Sequence, residues 1–343
     1  MATYAMRECC QIVNVPFATL EVTSKCNSRC KTCNVWRLQA DQEEGRRELN
    51  REESCEVIDQ LSKLGCRSIE LHGGEPTLRR DLPELVSCCT RLGIATMFAT
   101  NGLSMTEELA SELVDAGLKQ IRFSLEGPRE THNLIRGRED AFDKQMQAIE
   151  AIHRADKVNR VAKIINTTIS SLNIHGIEDI IDVAQRVQIK YVLVFLASVV
   201  RPDVAEQTNT VFGEDVAYRR SLLDGELLIH DPDLIERKRA QLLKRAKEQG
   251  VRLNDSTFFT MPVSAVLHGI KRPRGPCSRI YDACTVDSFG DVVPCEYLRY
   301  RFGNVRDQPL KDLLASHRFQ QFSRIYAENV GRLRICDYCC HSL

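Results

Sequence analysis

Long apolar runs are missing from this sequence. The longest, residues 191–200, has ten residues and includes Ser198, which is too short to cross a bilayer as a helix. An excess of charge of one sign is also missing: 47 Lys and Arg stand against 47 Asp and Glu, for a formal net charge of +0. That balance removes the general electrostatic reason to expect nucleic acid or an anionic membrane as partner. The first ten residues hold Arg7 and Glu8 and no apolar h-region, so no signal peptide is visible and the expectation is a soluble, cytoplasmic protein. There is no low-complexity tract and no internal repeat. With 343 residues, 43% of them hydrophobic, the chain has the material for one large domain or two moderate ones, and disorder is not expected.

What is abundant is cysteine. Fifteen cysteines without a secretion signal argue against a disulfide scaffold and for metal binding or redox work. Cys9, Cys10, Cys26, Cys30 and Cys33 lie near the start, and Cys277, Cys284, Cys295, Cys336, Cys339 and Cys340 near the end, with none between Cys89 and Cys277. Two separate sites are the simplest reading.

Between the clusters, short β-rich runs alternate with amphipathic helical patterns. Strands are expected over residues 17–23, 68–72, 94–100, 120–125, 161–169 and 191–196. Asn50 followed by Glu53 resembles a capping box, and Gly65 closes that helix. Further helices are expected over 82–92, from Ser104–Glu107 to Gly117, and over 142–154 and 177–187. Six strand–helix units in succession imply a parallel sheet with right-handed crossovers, either open and doubly wound or curled into a partial barrel. Residues 201–272 read as a mostly helical connecting segment whose charged run is a solvated face. Residues 273–343 are loop-rich and cysteine-rich, a small second domain.

Cys26-Asn27-Ser28-Arg29-Cys30-Lys31-Thr32-Cys33 directly follows the first strand. Three thiolates on one loop hold three corners of an iron–sulfur cube and leave the fourth iron open; a zinc site is the alternative and would need a fourth ligand, for which His72 is the nearby choice. The second strand runs into Gly73-Gly74-Glu75-Pro76, where glycines admit a small polar ligand and Glu75 can accept from an ammonium group.

Together these motifs resemble the radical S-adenosylmethionine (radical SAM) superfamily, whose signature is CxxxCxxC followed by GGEP. The resemblance extends through Thr100-Asn101-Gly102 and Ser124-Leu125-Glu126-Gly127-Pro128 to His132 and Ile135-Arg136-Gly137, covering roughly residues 17–200. It implies a partial (β/α)6 TIM-like barrel over residues 1–200, with chemistry at the C-terminal ends of the strands. It further implies that the open iron chelates S-adenosylmethionine, which one electron then cleaves to methionine and a 5′-deoxyadenosyl radical. Ser124 and Arg136 carry over as cofactor contacts, with Thr32, Gly73, Gly74, Glu75, Asn101 and Glu126 completing the set. Glu126 replaces the usual aspartate, and Thr32 stands where an aromatic residue often lies against adenine. A one-electron reductant such as flavodoxin or ferredoxin is the implied partner.

Cys277 and Cys295 bracket Gly290, and Cys336-Asp337-Tyr338-Cys339-Cys340 follows. This looks like the twitch domain, a shortened SPASM domain, and implies one auxiliary [4Fe–4S] cluster on Cys277, Cys295, Cys336 and Cys339. Cys284 competes as a ligand, and a zinc ribbon is the alternative for the whole set. Cys9, Cys10, Cys55, Cys66, Cys88 and Cys89 lack ligand spacing and are expected as small buried residues; His153, His175 and His317 are not expected to bind metal.

Twitch relatives act on aminocyclitols and sugars. Only 25 residues precede the first cluster, too few for a leader-peptide recognition domain. The sequence therefore leads us to expect a small hydroxylated substrate such as a sugar, aminoglycoside, nucleoside or cyclitol, in natural-product biosynthesis. The expected outcome is oxidation, or epimerisation with Cys284 or Cys340 as hydrogen donor. Arg201 is a weak candidate for steering proton loss. Radical decarboxylation of a sugar acid and modification of a peptide or protein are the alternatives.

Overall fold

Alternation of apolar residues along the predicted strands and helical spacing between them produce the expected α/β succession. The computed structural model describes residues 14–38, 46–217, 223, 225–254, 256–270, 277 and 279–339. In chain order the elements are β1 (Phe17–Thr23), α1 (Val35–Leu38), α2 (Arg51–Lys63), β2 (Ser68–Gly73), α3 (Leu82–Arg91), β3 (Ala95–Thr100), α4 (Glu107–Asp115), β4 (Gln120–Ser124), α5 (Arg129–Arg136), α6 (Ala141–Ala155), β5 (Ala162–Ile169), α7 (Asp179–Arg186) and β6 (Tyr191–Leu196). Then come α8 (Pro202–Phe212), α9 (Pro232–Gln249), β7 (Arg252–Leu253), the short turns α10 (Thr257–Thr260), α11 (Val263–Leu267) and α12 (Arg279–Asp282), β8 (Ala283–Val286), β9 (Asp291–Val293), β10 (Gly303–Asn304), α13 (Leu310–Leu313) and α14 (His317–Glu328).

One sheet runs β10-β9-β8-β1-β2-β3-β4-β5-β6-β7. Strands β1 to β7 are parallel throughout, and the sheet stays open: a partial barrel rather than a closed one. The cysteine-rich segment joins this sheet directly, since β8 pairs parallel with β1 from Phe17↔Ala283 to Leu20↔Val286, and β9 and β10 follow antiparallel. The sheet thus runs across the expected 272/273 boundary. Buried between two neighbours, β1 has six of its seven residues out of water, as parallel central strands require.

Local signals placed the helices. The Asn50 side chain accepts from Glu53 N at 2.9 Å while Glu53 Oε2 accepts from Asn50 N at 2.9 Å, a complete capping box. The start of α4 differs from expectation: Thr106, not Ser104, accepts from Leu109 N at 3.1 Å. Ser104 is drawn instead to Asn27, whose amide donates to it at 2.9 Å. The helices pack Ile58, Leu61, Leu85, Leu113, Ile149 and Ile181 onto the sheet, all fully or almost fully buried, each stabilising by roughly 1.5–3 kcal/mol against exposure. Behind the C-terminal hairpin, Phe212 stacks on Phe322 at 5.5 Å beside Tyr300 and Phe302. Among the described residues no helix is long and apolar enough to cross a membrane.

Two helices carry a bond that the sequence reading did not expect. Cys55 on α2 and Cys88 on α3 form a disulfide with Cα atoms 6.0 Å apart. Adjacent helix faces brought these residues together, which no spacing rule in the chain reveals. Cys66 and Cys89 are buried free thiols, as expected, and Cys9 and Cys10 lie outside the described residues.

Candidate cofactor site

The loop after β1 meets the end of β2 at a distance only glycine allows. Gly74 N donates to Thr23 O at 2.9 Å and Glu75 N to Lys25 O at 2.8 Å. A Cβ on Gly73 would lie 2.0 Å from Thr23 O, and one on Gly74 2.0 Å from Lys25 O. Gly73 also holds φ 137°, a conformation side chains disfavour. In the protein itself, then, these glycines admit the backbone of the cysteine loop.

Glu75 is 2% exposed, and burial raises its carboxyl above the usual range. Its Oε1 accepts from Thr77 N, Thr77 Oγ1 and Thr100 Oγ1, and its Oε2 from Asn101 N at 2.8 Å. The carboxylate therefore ties the end of β2 to the end of β3. Asn101 continues the tie, donating to Asn27 Oδ1 at 2.9 Å inside the cysteine loop.

The far side of the loop rests on β4 and α5. Arg136 donates to Glu126 Oε1 at 2.6 Å and to Cys30 Sγ at 3.4 Å, while Glu126 Oε2 accepts from Thr168 N at 2.8 Å. Burial raises the Glu126 carboxyl, with Arg136 opposing. His132, fully buried, has its ionisation pushed down to about 2 by burial and by Arg136, so it stays neutral and accepts from Glu126 N at 3.2 Å. Lys31 N donates to Ile135 O at 2.8 Å. Ser124 ends β4 in register with Asn166 of β5. Arg136 Nε and Asn166 Oδ1 are buried without a hydrogen-bond partner. Thr32 is half-buried, and Trp36 on α1 donates to Cys30 O at 3.2 Å.

Cys30 is 7% exposed, with Cys26 and Cys33 more open. Burial pushes the Cys26 thiol up to about 12, helped by the charges of Glu75, Cys30 and Cys33, so these groups sense one another. In the second set, burial and the neighbouring Cys336 and Cys277 push Cys295 up to about 12. Cys277 N donates to the Tyr326 hydroxyl at 2.7 Å, and Cys339 N to Cys336 O at 3.3 Å. His72 faces Glu296 at 4.0 Å instead of completing the first set.

Two of the candidate catalytic residues can be placed. Cys284 is 1% exposed on β8, opposite Ala18 near the start of β1, and its thiol is pushed up to about 12 by burial and Cys66. Ala18 precedes the end of β1 by five residues, about 16 Å at strand rise, so Cys284 stands far from the loop that carries Cys26, Cys30 and Cys33. Arg201 is exposed, donates to Asp203 at 2.9 Å and is held more firmly cationic by that carboxylate. Cys340, the remaining candidate donor, lies outside the described residues. His153 contacts Val187 O at 3.0 Å, while His175 lies in a turn and His317 opens α14.

Sequence reading missed a charged array at the seam between the barrel and the C-terminal hairpin. Arg299 donates to Glu21 Oε1 at 2.6 Å and lies 4.0 Å from Asp287, and Tyr297 meets Ser198 at 2.8 Å. Residues 278 positions apart meet there, and no local motif marks them.

Comparison with known proteins agrees with this geometry. The family model described as the radical SAM superfamily matches residues 20–184, and one described as an iron–sulfur cluster-binding domain (SPASM) matches residues 277–340. The chain is 27% identical to the AdoMet-dependent heme synthase of Methanosarcina barkeri over 93% of this chain and 87% of that protein. It is 28% identical to the PqqA peptide cyclase of Bradyrhizobium diazoefficiens over 52% of this chain and 46% of that one. Among solved structures, Streptococcus suis SuiB bound to S-adenosylmethionine shares the fold, with a TM-score of 0.66 at 16% identity over 95% of this chain and 72% of that one.

Proposed function

The chain belongs to the radical SAM superfamily, and from that premise we propose that it removes hydrogen from a side-chain carbon of a carboxylate-bearing tetrapyrrole. S-adenosylmethionine and two iron–sulfur clusters are its cofactors. We assign Cys26, Cys30 and Cys33 to the cofactor-binding cluster and Cys277, Cys295, Cys336 and Cys339 to the auxiliary one. The residues fit these groups: the loop cysteines include Cys30, which accepts from Arg136 at the end of α5, and Arg136 Nε and Asn166 Oδ1, the latter on β5 in register with the last residue of β4, are buried polar atoms without a hydrogen-bond partner. When bound, the cluster and its sulfonium ligand supply one-electron chemistry that takes hydrogen from an unactivated carbon.

The chain's own residues hold that chemistry in place. Glu75 and Asn101 fix the β2 and β3 ends against the cysteine loop, and Glu126 and Arg136 fix the opposite wall. Ser124 is the proposed additional cofactor contact. At the seam, Arg299, already held by Glu21, is the proposed contact for a substrate carboxylate.

The observation that carries the enzyme assignment is the convergence of the cysteine loop, Gly73-Gly74, Glu75 and Arg136 at one end of the sheet. Substrate class rests on the nearly full-length similarity to a heme synthase. The expected sugar-like substrate finds no support in these relatives. A peptide side chain is the second reading, favoured by the match to a peptide cyclase over half of the chain.

The test is anaerobic reconstitution, reduction, and addition of S-adenosylmethionine with iron coproporphyrin, candidate peptides or aminocyclitols. The expected result is 5′-deoxyadenosine, carrying the hydrogen taken from the substrate, well above the uncoupled background with the tetrapyrrole, and transfer of deuterium into it from side-chain-deuterated tetrapyrrole. Stimulation by an aminocyclitol alone would refute the substrate class.

A further inference from the structure

We infer that Ser28 and Arg136 set the reduction potential of the first cluster through two hydrogen bonds that converge on one sulfur, that of Cys30. The inference rests on the assignment of Cys26, Cys30 and Cys33 to that cluster. Ser28 Oγ lies 3.1 Å from Cys30 Sγ, and Arg136 Nη1 donates to the same sulfur at 3.4 Å. The neighbouring Cys33 sulfur receives Val35 N at 3.5 Å. Cys30 is buried to 7% exposure, where a hydrogen bond and a nearby cation act with little screening.

Loading the site decides which way the Ser28 hydroxyl points. Its oxygen lies 3.3 Å from Arg136 O as well as 3.1 Å from Cys30 Sγ, and it has one hydrogen to give. A thiol at Cys30 leaves that hydrogen to the carbonyl. A cluster-bound thiolate has no hydrogen of its own and is the stronger acceptor, so the hydroxyl turns to sulfur.

Donors to a cluster sulfur stabilise the form carrying one more electron, and so raise the potential. Arg136 is restrained in this by Glu126, whose carboxylate at 2.6 Å offsets the guanidinium charge while holding it in place. Glu126 is fixed in turn by Thr168 N and, through its own N–H, by His132. The arrangement makes Ser28 and Arg136 positive contributors and Glu126 a negative one. Two variants should therefore shift the potential in opposite directions, which a purely structural role would not produce.

The experiment is a potentiometric titration of the full chain with both clusters, followed by electron paramagnetic resonance and run without S-adenosylmethionine. The first cluster's signal is identified by its response when the cofactor is added afterwards. Ser28→Ala should move that midpoint to more negative potential, and Glu126→Gln, which keeps the shape and removes the charge, to more positive potential. Because the cofactor is absent during the titration, a residue that only holds the cofactor would leave the midpoint unmoved. Unmoved midpoints, or shifts of the same sign in both variants, would overturn the inference. Wild-type protein with no cofactor-responsive signal at all would instead overturn the cluster assignment beneath it.

Discussion

Replacing Gly74 with alanine should cost the protein its first cluster while sparing the second. The added Cβ would sit 2.0 Å from Lys25 O and 2.8 Å from Ser24 O, both backbone atoms that no rotamer change can move aside. Overpacking of this kind costs about 1–3 kcal/mol. The hydrogen bonds that hold the seam, Gly74 N to Thr23 O and Glu75 N to Lys25 O, add about 1 kcal/mol each when lost. A destabilisation of about 3–5 kcal/mol is therefore expected, with the strain released into the loop that carries Cys26. Gly225→Ala is the matched control, because nothing lies within 4 Å of a Cβ there, and its effect should stay within about 0.5 kcal/mol. The assay is iron content after anaerobic reconstitution, read beside denaturant unfolding of the apoprotein. Iron should fall to about half in Gly74→Ala and stay unchanged in the control. A Gly74→Ala protein with full iron and wild-type stability would refute the argued closeness of the two backbones.

The Cys55–Cys88 disulfide closes a separation of 33 residues, so Cys55→Ser should lose about 3–4 kcal/mol by denaturant unfolding; alkylation under denaturing, non-reducing conditions should leave two cysteines unlabelled, and complete labelling would contradict the bond. Cys284→Ala should keep the full iron content, whereas Cys336→Ser should lose the auxiliary share; iron loss in Cys284→Ala would return that thiol to the ligand set. Burial lifts the Asp287 carboxyl from 3.8 to about 6, with Arg299 opposing. The folded state thus binds this proton more tightly than the unfolded chain, and the resulting stability is complete below the unfolded value and lost as pH rises through about 6. Asp287→Asn should accordingly gain on wild type between about pH 4 and pH 7.5 in apoprotein unfolding curves, and a difference independent of pH would count against the burial argument.

The parts that were legible in the sequence are those written locally. Asn50 and Glu53 stand three apart and cap each other, and strands β1 to β6 fall within a residue or so of their expected bounds because apolar period and glycine stops act over a few positions. The motifs Cys26 to Cys33 and Gly73 to Glu75 are local in the same sense, and the structure brings them together at one end of the sheet. Ser104 misled because its hydroxyl serves Asn27, 77 residues away, rather than its own helix. Spacing along the chain gave no sign that Cys284 sits on β8 opposite the beginning of β1. The Cys55–Cys88 bond, the Arg299–Glu21 pair and the union of the C-terminal hairpin with the barrel sheet are all long-range contacts made by packing, and no short window contains them. The glycines were recognised as a close approach, but the structure shows which backbone approaches.

In the proposed assignment, Cys26, Cys30 and Cys33 leave one iron for the amino and carboxylate groups of S-adenosylmethionine. Electron–nuclear double resonance on the reduced protein, with cofactor labelled at its amino nitrogen and carboxylate carbon, tests this directly. Resolved couplings from both labels are expected, and Cys30→Ala should abolish them. A cluster signal indifferent to the labelled cofactor would contradict it.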